Sequence, residues 1–177
     1  MGNITVDNQG NAWETTIATI SDDYYQVINC LSVYVKKLST NAKIPTRGSE
    51  QAAGYDLYAD LGDEKDITIP PGATKFIGTG LAFALPHGTF LGIYPRSGLA
   101  CKQGLRPANC VGVVDSDYRG EVKVALYNDS GDYQTIANGE RIAQGILHSY
   151  LCMGFIEREE LPETDRGIGG FGSTGSK

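Results

Sequence analysis

Histidine and cysteine, the usual ligands of structural zinc, are scarce in this sequence of 177 residues. It contains two histidines, His87 and His148, and four cysteines, none of which form a Cys-x-x-Cys pair. A structural zinc site takes several such ligands at close spacing, so this composition argues against one. We interpret the cysteines instead as small buried hydrophobic side chains with reduced thiols.

Long hydrophobic runs and an excess of positive charge are also absent. No stretch approaches the roughly 18 consecutive apolar residues of a membrane span, and the first 30 residues contain no Lys or Arg. The 15 basic and 21 acidic side chains leave a net charge of -6, which argues against a protein that grips nucleic acid by its phosphates. The sequence therefore predicts a soluble, cytoplasmic protein without membrane contact or stable nucleic-acid binding. An organellar, viral or phage origin stays open.

Glycine, in contrast, is abundant, at 23 residues, which is about 13% against a usual share of roughly 7%. Short alternations of apolar and polar residues occur at 33–36, 67–69 and 122–126, and residues 90–94 form another strand-like run. Turn sequences such as Pro70-Pro71-Gly72 separate these segments. The pattern predicts an all-β sandwich or barrel.

The beginning of the chain differs from the rest. Residues 1–30 carry four acidic side chains and no basic one, so this stretch has a charge of -4. From Trp13 to Leu31 the apolar residues recur every three or four positions, which predicts a short helix, although three threonines weaken it. We divide the chain into an acidic N-terminal extension (1–31), a β domain (32–160) and a flexible glycine-rich arm (161–177).

Two clusters in the predicted β domain carry groups that suit phosphate chemistry. In residues 95–100, Pro-Arg-Ser-Gly-Leu-Ala, a guanidinium, a hydroxyl and backbone N–H groups beside a glycine follow a strand, which is a phosphate-binding arrangement. The alternative is a turn whose arginine pairs with a surface carboxylate. In residues 112–120, Asp115 directly follows two valines. Such a carboxylate can be desolvated and accept a proton from water, or it can cap a turn.

A third cluster, residues 166–175, contains five glycines together with Phe171, Ser173 and Thr174. A chain of this kind can fold over a nucleotide, stacking its ring on a base and donating to phosphates, or it is a tail without a role. No Gly-Lys-Ser/Thr follows it, and no strand and helix flank it. It is therefore neither a P-loop nor a dinucleotide-binding fingerprint.

Five motifs occur along the chain in a definite order. They are Ala53-Gly54-Tyr55-Asp56-Leu57, Pro95-Arg96-Ser97-Gly98-Leu99-Ala100, Gly112-Val113-Val114-Asp115-Ser116-Asp117-Tyr118-Arg119-Gly120, Gly139-Glu140-Arg141-Ile142-Ala143-Gln144 and the glycine-rich segment 166–175. Together they resemble the motifs of the trimeric deoxyuridine triphosphatases (dUTPases). The resemblance covers residues 32–175 and gives the N-terminal extension no role. It implies a distorted jelly-roll-like (β-clip) subunit, a homotrimer with shared active sites, and Mg²⁺-dependent hydrolysis of dUTP to dUMP and pyrophosphate.

The resemblance also implies roles for single residues. Asp115 would be the general base that activates water, while Asp56 and Gln144 would support Mg²⁺ through its water molecules. Tyr118 would pack beneath the deoxyribose and exclude a 2′-hydroxyl, and Asn109 with nearby main chain would read the uracil edge. The alternatives are a turn or subunit contact for Asp56 and core packing for Tyr118. The full set expected to bind substrate is Arg96, Ser97, Gly98, Asn109, Gly112, Tyr118, Gln144, Arg166, Gly170, Phe171, Ser173 and Thr174.

Two other functions stay open on the sequence. A deoxycytidine triphosphate deaminase would share the fold and the nucleotide class, but the Leu-Glu-Leu pattern of that enzyme is missing from residues 121–128. A regulatory binding protein on the same scaffold is the second, and the unexplained acidic extension keeps it open as an addition to catalysis. Hydrolysis of dUTP remains the prediction, and it would limit uracil incorporation into DNA and supply dUMP for thymidylate synthesis.

Overall fold

The structure, a computed structural model, describes residues 3–6, 12–20, 24–109 and 111–170, and up to residue 30 it describes the backbone only. These residues form fifteen strands and one π-helical turn at Leu99–Gln103. The strands are β1 (Asn3–Val6), β2 (Ala12–Ile20), β3 (Tyr24–Cys30), β4 (Tyr34–Lys37), β5 (Thr46–Arg47), β6 (Tyr55–Tyr58), β7 (Asp66–Ile69), β8 (Thr74–Gly78), β9 (Leu81–Ala84), β10 (Thr89–Tyr94), β11 (Leu105–Pro107), β12 (Gly112–Asp115), β13 (Lys123–Asn128), β14 (Gln134–Ala137) and β15 (Arg141–Ser149). The predicted all-β class is confirmed. In the described part of the chain, no helix has the length and apolar character needed to cross a membrane.

The largest layer is a five-stranded antiparallel sheet in the order β12-β10-β15-β6-β5. The central strand β15 pairs with β10 over six residues, and a bulge between Arg141 and Ala143 shifts its register against β6. A three-stranded sheet (β11-β13-β8) and two pairs, β14-β7 and β4-β9, complete the β domain. Alternation in the sequence explains these strands: in β13, every second residue is buried.

One hydrophobic core lies between these sheets. Each sheet contributes side chains that are at most 1% exposed: Leu57 and Ile142 from the five-stranded sheet, Ile77 and Leu126 from the three-stranded sheet, Ile69 and Ile136 from β7 and β14, and Leu81 from β9. Because side chains alternate along a regular strand, Asp56, next to Leu57 on β6, points to the outer face. On β15 the bulge leaves the neighbours Ile142 and Ala143 both buried. The core thus directs polar side chains of β6 and β15 toward the solvent side of the large sheet.

Two expectations from the sequence are wrong. The N-terminal extension has no helix in its described residues: β2 and β3 pair antiparallel from Glu14↔Cys30 to Ile20↔Tyr24, and β1 joins β2. β-branched residues are frequent in β2, and β3 contains two tyrosines, a valine and an isoleucine. Such side chains favour strand over helix. The cysteines are not all buried either, because Cys101 and Cys152 are exposed. Cys110 lies outside the described residues.

Candidate functional site

The outer face of the five-stranded sheet carries three of the predicted site residues. Asp56 on β6 pairs with Gln144 on β15, and Gln144 pairs with Tyr94 on β10. Asp115, at the end of β12, pairs with Phe90 on β10. Cross-strand partners share a face, and so do alternate residues along β10, so Asp56, Gln144 and Asp115 lie on one face of the sheet.

Asp56 is held between two arginines. Its Oδ1 accepts a hydrogen bond from Arg96 Nε at 2.8 Å, and its Oδ2 accepts one from Arg141 Nη1 at 3.1 Å. Arg96 Nη1 also donates to the carbonyl oxygen of Arg141 at 3.2 Å. The Asp56 side chain is only 12% exposed, whereas that of Arg141 is 49% exposed, so the bond to Arg96 is the better shielded of the two. Both charge-assisted bonds orient their guanidinium groups. Arg96 thus pairs with a carboxylate, but this carboxylate is largely buried rather than on the surface, and it is itself a predicted site residue.

The first, second and fourth motifs meet in one pocket of about 210 Å³. Its walls are formed by Gly48, Ala52, Gly54, Asp56, Arg96, Ser97, Gly98, Arg141 and Gln144. Two arginines and one aspartate give these walls a net charge of +1 (2 minus 1). In a chain whose net charge is -6, this local positive charge suits a bound anion.

The loop of Arg96, Ser97 and Gly98 forms one side of the pocket between β10 and the helical turn. Ser97 and Gly98 are exposed. A Cβ added at Gly98 would meet no atom within 4 Å, so packing within the chain does not require glycine there. The open space beside Arg96 leaves room for a phosphate group to approach the backbone.

Gln144 connects β15 to this loop. Its Nε2 donates to the carbonyl oxygen of Pro95 at 2.9 Å. On its other side the Gln144 amide lies against the backbone of Gly54, which is buried. One side chain therefore contacts the first and the second motif at once.

Asp115 ends β12 and begins the turn toward β13. Its carbonyl oxygen accepts a hydrogen bond from the Tyr118 amide at 3.2 Å, and the residue is exposed. The sequence left open a desolvated carboxylate or a turn residue. In a single chain Asp115 takes part in the turn through its main chain and is not desolvated, so the role of base requires another molecule to cover it.

Within one chain, Asp115 lies far from the pocket. The register places it two strands away from Gln144 and four residues further along the sheet. With about 4.8 Å between strands and about 3.4 Å per residue, the two Cα atoms are roughly 17 Å apart. Among the described residues, none of the third motif lines the pocket. A single chain does not bring its own Asp115 to the groups predicted to bind phosphate.

Two more predicted residues, Tyr118 and Asn109, lie against glycines of the third motif. Tyr118 Oη donates to the carbonyl oxygen of Glu121 at 3.1 Å, and a Cβ at Gly120 would stand only 2.6 Å from Cζ of the ring. A Cβ at Gly112 would stand 3.1 Å from Asn109 Nδ2. Tyr118 is 47% exposed, so the core-packing alternative is wrong. These side chains form an outer surface apart from the pocket.

The described part of the arm contains two predicted residues. Arg166 is exposed, and its Nε donates to the carbonyl oxygen of Gly169 at 2.8 Å, while Gly170 is half-buried. Neither of them lines the pocket. The other predicted arm residues, Phe171, Ser173 and Thr174, lie outside the described residues.

Sequence reasoning missed Arg141 as a site residue, although it belongs to the fourth motif. Residues 141 and 144 are three apart on one strand, and a regular strand places such residues on opposite faces. The bulge between Arg141 and Ala143 changes this alternation, so Arg141 and Gln144 line the same pocket. A bulge has no clear sign in this sequence.

A second groove, of about 520 Å³, lies on the inner side of the large sheet. It is mostly apolar, with walls formed by Leu31, Val33, Val35, Ile44, Pro45, Arg47, Tyr55, Leu57, Phe83, Leu91, Gly145 and Leu147. It offers a single charged side chain, Arg47, and is less suited to a triphosphate than the smaller cationic pocket.

The fold and the pocket define an all-β protein with a cationic pocket of a kind that suits a phosphorylated ligand. A sequence model of the dUTPase family matches residues 40–175. The deoxyuridine 5'-triphosphate nucleotidohydrolase of Nautilia profundicola is 47% identical over 145 residues, which are 82% of this chain and 99% of that protein. The chain belongs to the dUTPase family.

Solved structures agree with this assignment. A variant of the dUTPase of Staphylococcus bacteriophage 80alpha, bound to dUpNHpp, has a TM-score of 0.71 and 26% identity, covering 81% of this chain and 98% of that one. A variant of the dUTPase from phage phi11 of S. aureus, for which a structural Mg(II) ion is described, shares the fold. Its TM-score is 0.64 at 22% identity, covering 73% of this chain and 97% of that one.

Proposed function

We propose that this protein is a cytoplasmic dUTP diphosphatase that hydrolyses dUTP to dUMP and pyrophosphate. The pocket in which Asp56 orients Arg96 and Arg141 beside an open loop is the observation that carries the proposal. The name of the N. profundicola relative and the dUpNHpp bound to the bacteriophage 80alpha dUTPase support the choice of nucleotide. This activity would limit uracil in DNA and supply dUMP for thymidylate synthesis.

The active site is composite and belongs to a homotrimer. The separation between Asp115 and Gln144 in one chain supports this, because a second copy can place its third motif beside the first chain's pocket. Exposed apolar side chains support it as well: Leu151, Met153 and Phe155 are at least 77% exposed on the segment before the arm. Large apolar side chains in succession on a surface are typical of a contact with another chain. The number of three chains comes from the resemblance of the five motifs.

In the reaction, Asp115 of one chain accepts a proton from a water molecule, and the water oxygen attacks the α-phosphorus. The new P–O bond forms as the bond from the α-phosphorus to the oxygen bridging to the β-phosphorus breaks, and pyrophosphate leaves. Arg96 and Arg141 face this site with positive charge that compensates the charge spread over the phosphate oxygens. Orientation and charge are sufficient, so no covalent nucleophile is required.

Mg²⁺ fits the oxygen chemistry of this pocket. The described residues contain no group of three or more His, Cys, Asp or Glu that could hold a metal by themselves. Mg²⁺ keeps several water molecules and binds phosphates readily, so a cage of protein ligands is not needed. Asp56 and Gln144 would hold the hydrated ion through their oxygen atoms. The bound ion would supply positive charge that neutralises the triphosphate.

Replacement of Tyr118 by alanine should weaken discrimination against UTP. The ring lies on Gly120 and presents an exposed surface, and under the proposed role it occupies the space that a 2′-hydroxyl would need. We expect the ratio of kcat/KM for UTP to that for dUTP to rise by about tenfold or more, since steric differences in a pocket are worth roughly 10- to 200-fold. An unchanged ratio in Tyr118→Ala would place sugar recognition elsewhere. Tyr133→Ala, at a residue that is 72% exposed outside the motifs, is the matched control.

Pyrophosphate release from a panel of nucleoside triphosphates tests the proposed function. We expect release from dUTP in the presence of Mg²⁺, its loss with EDTA, and little release from UTP, dCTP or dTTP. Analysis of the products by chromatography separates the two enzyme classes. Conversion of dCTP to dUTP would indicate a deaminase, and a lack of turnover with every nucleotide would leave a binding protein.

A further inference from the structure

The contact between Gly54 and Gln144 is tighter than a side chain at position 54 would allow. A Cβ built on Gly54 would overlap Gln144 Oε1 and would stand 3.0 Å from its Cδ and 3.2 Å from its Cβ. Gly54 has no left-handed backbone angle, so its conformation alone does not require glycine. The requirement comes from the neighbouring glutamine.

The same glutamine also contacts the segment that leads into the loop of Arg96, Ser97 and Gly98. Gln144 Nε2 donates to the carbonyl oxygen of Pro95, the residue directly before Arg96. The absence of a side chain at Gly54 therefore lets the Gln144 amide pack against the first motif. The N–H group of the same amide bonds to Pro95 of the second motif. An amide that is supported on one side and bonded on the other has little freedom to turn, and the loop that follows Pro95 is held with it.

The geometry points to Gly54 and Gln144 as a positioning pair that holds the loop of Arg96, Ser97 and Gly98 in the conformation that receives the triphosphate. This inference rests on the proposed function, since it concerns the same pocket. It assigns Gly54 a role through the space it leaves free. It also assigns Gln144 a role through Pro95 that is separate from support of Mg²⁺.

A methyl group at position 54 would displace the end of the Gln144 side chain. The atom it would displace, Gln144 Oε1, is the end of a flexible side chain, so the side chain can swing away without unfolding the sheet. The hydrogen bond to Pro95 is then lost, so the backbone before Arg96 can shift while the Arg96 side chain keeps its bonds to Asp56 and to the Arg141 carbonyl oxygen. A displacement of roughly 1 Å in a positioning group can cost about 10²-fold in rate. We expect Gly54→Ala to lower kcat/KM for dUTP by at least about tenfold.

A double-mutant cycle of Gly54→Ala and Gln144→Ala tests the pairing. In the Gln144→Ala background the glutamine amide is gone, so adding Gly54→Ala should have little further effect on kcat/KM. Gln144→Met keeps the approximate size of the side chain without adding charge but has no N–H group for Pro95, so it should reproduce the loss. Gly131→Ala, at an exposed glycine with no atom within 4 Å of the added Cβ, is the matched control and should keep full activity.

Binding of inorganic triphosphate, measured by calorimetry without Mg²⁺ so that support of the ion plays no part, separates this inference from the proposed function. The positioning pair predicts weaker binding in Gly54→Ala and Gln144→Met whether or not the protein hydrolyses dUTP. Equal losses from Gly54→Ala in both backgrounds, or full binding and activity in Gln144→Met, would overturn it. If Gly54→Ala proves unfolded by circular dichroism, Gln144→Met decides alone. A wild-type protein that binds triphosphate without turning over dUTP contradicts only the proposed function.

Discussion

Replacement of Asp115 by asparagine will lower kcat for dUTP by about 10²- to 10⁴-fold, the usual range for a positioned general base. Asparagine keeps the size of the side chain and removes the group that accepts the proton. Since Asp115 is exposed at the end of β12, the change should leave folding intact. The affinity for a non-hydrolysable dUTP analogue should change only a few-fold. Steady-state kinetics and calorimetry measure the two quantities.

Asp117→Asn provides a matched control, because Asp117 is an exposed carboxylate in the same turn and has no proposed role. It should keep most of the activity. Retention of more than about a tenth of the turnover in Asp115→Asn would exclude Asp115 as the base. The composite site can be checked by mixing Asp115→Asn chains with Arg96→Ala chains and measuring turnover of dUTP. Turnover should exceed that of either variant alone, since mixed trimers can contain pockets in which both groups are intact.

Removal of residues 166–177 should lower kcat by roughly 10²-fold, as expected when a segment that completes the site is lost. Five glycines make ordering of this arm costly in conformational entropy, so we expect it to become ordered only with substrate. Phosphates would face Arg166, Ser173 and Thr174, and the uracil ring would face Phe171. None of the described residues of this segment, 166–170, belongs to the core, so the thermal midpoint should change little.

Two measurements check this prediction about the arm. Limited proteolysis should cut the arm in the free protein and spare it when a non-hydrolysable dUTP analogue and Mg²⁺ are bound. Removal of residues 176 and 177 alone, which leaves the whole fifth motif, should keep full activity and serves as the control. Equal cutting with and without the analogue, or a fully active protein lacking 166–177, would show that the arm is not a lid.

The strands of the β domain could be predicted because their signal is local. Residues 67–69 and 122–126 alternate in the sequence, and they lie in or overlap β7 and β13. The prediction of a helix in the N-terminal extension failed because apolar residues spaced by three and four also arise by chance in a strand-forming stretch. There the many threonine, isoleucine and valine residues were the better guide, because β-branching acts on each residue separately.

The chemistry of the motifs was likewise readable from the sequence, since a guanidinium, a carboxylate or a glycine has its properties wherever it lies. Which of them meet was decided by strand pairing. The register joins Asp56 to Gln144 and keeps Asp115 roughly 17 Å away, and the bulge brings Arg141 into the pocket. Register and bulges depend on contacts between residues distant along the chain, so they exist only in the folded protein.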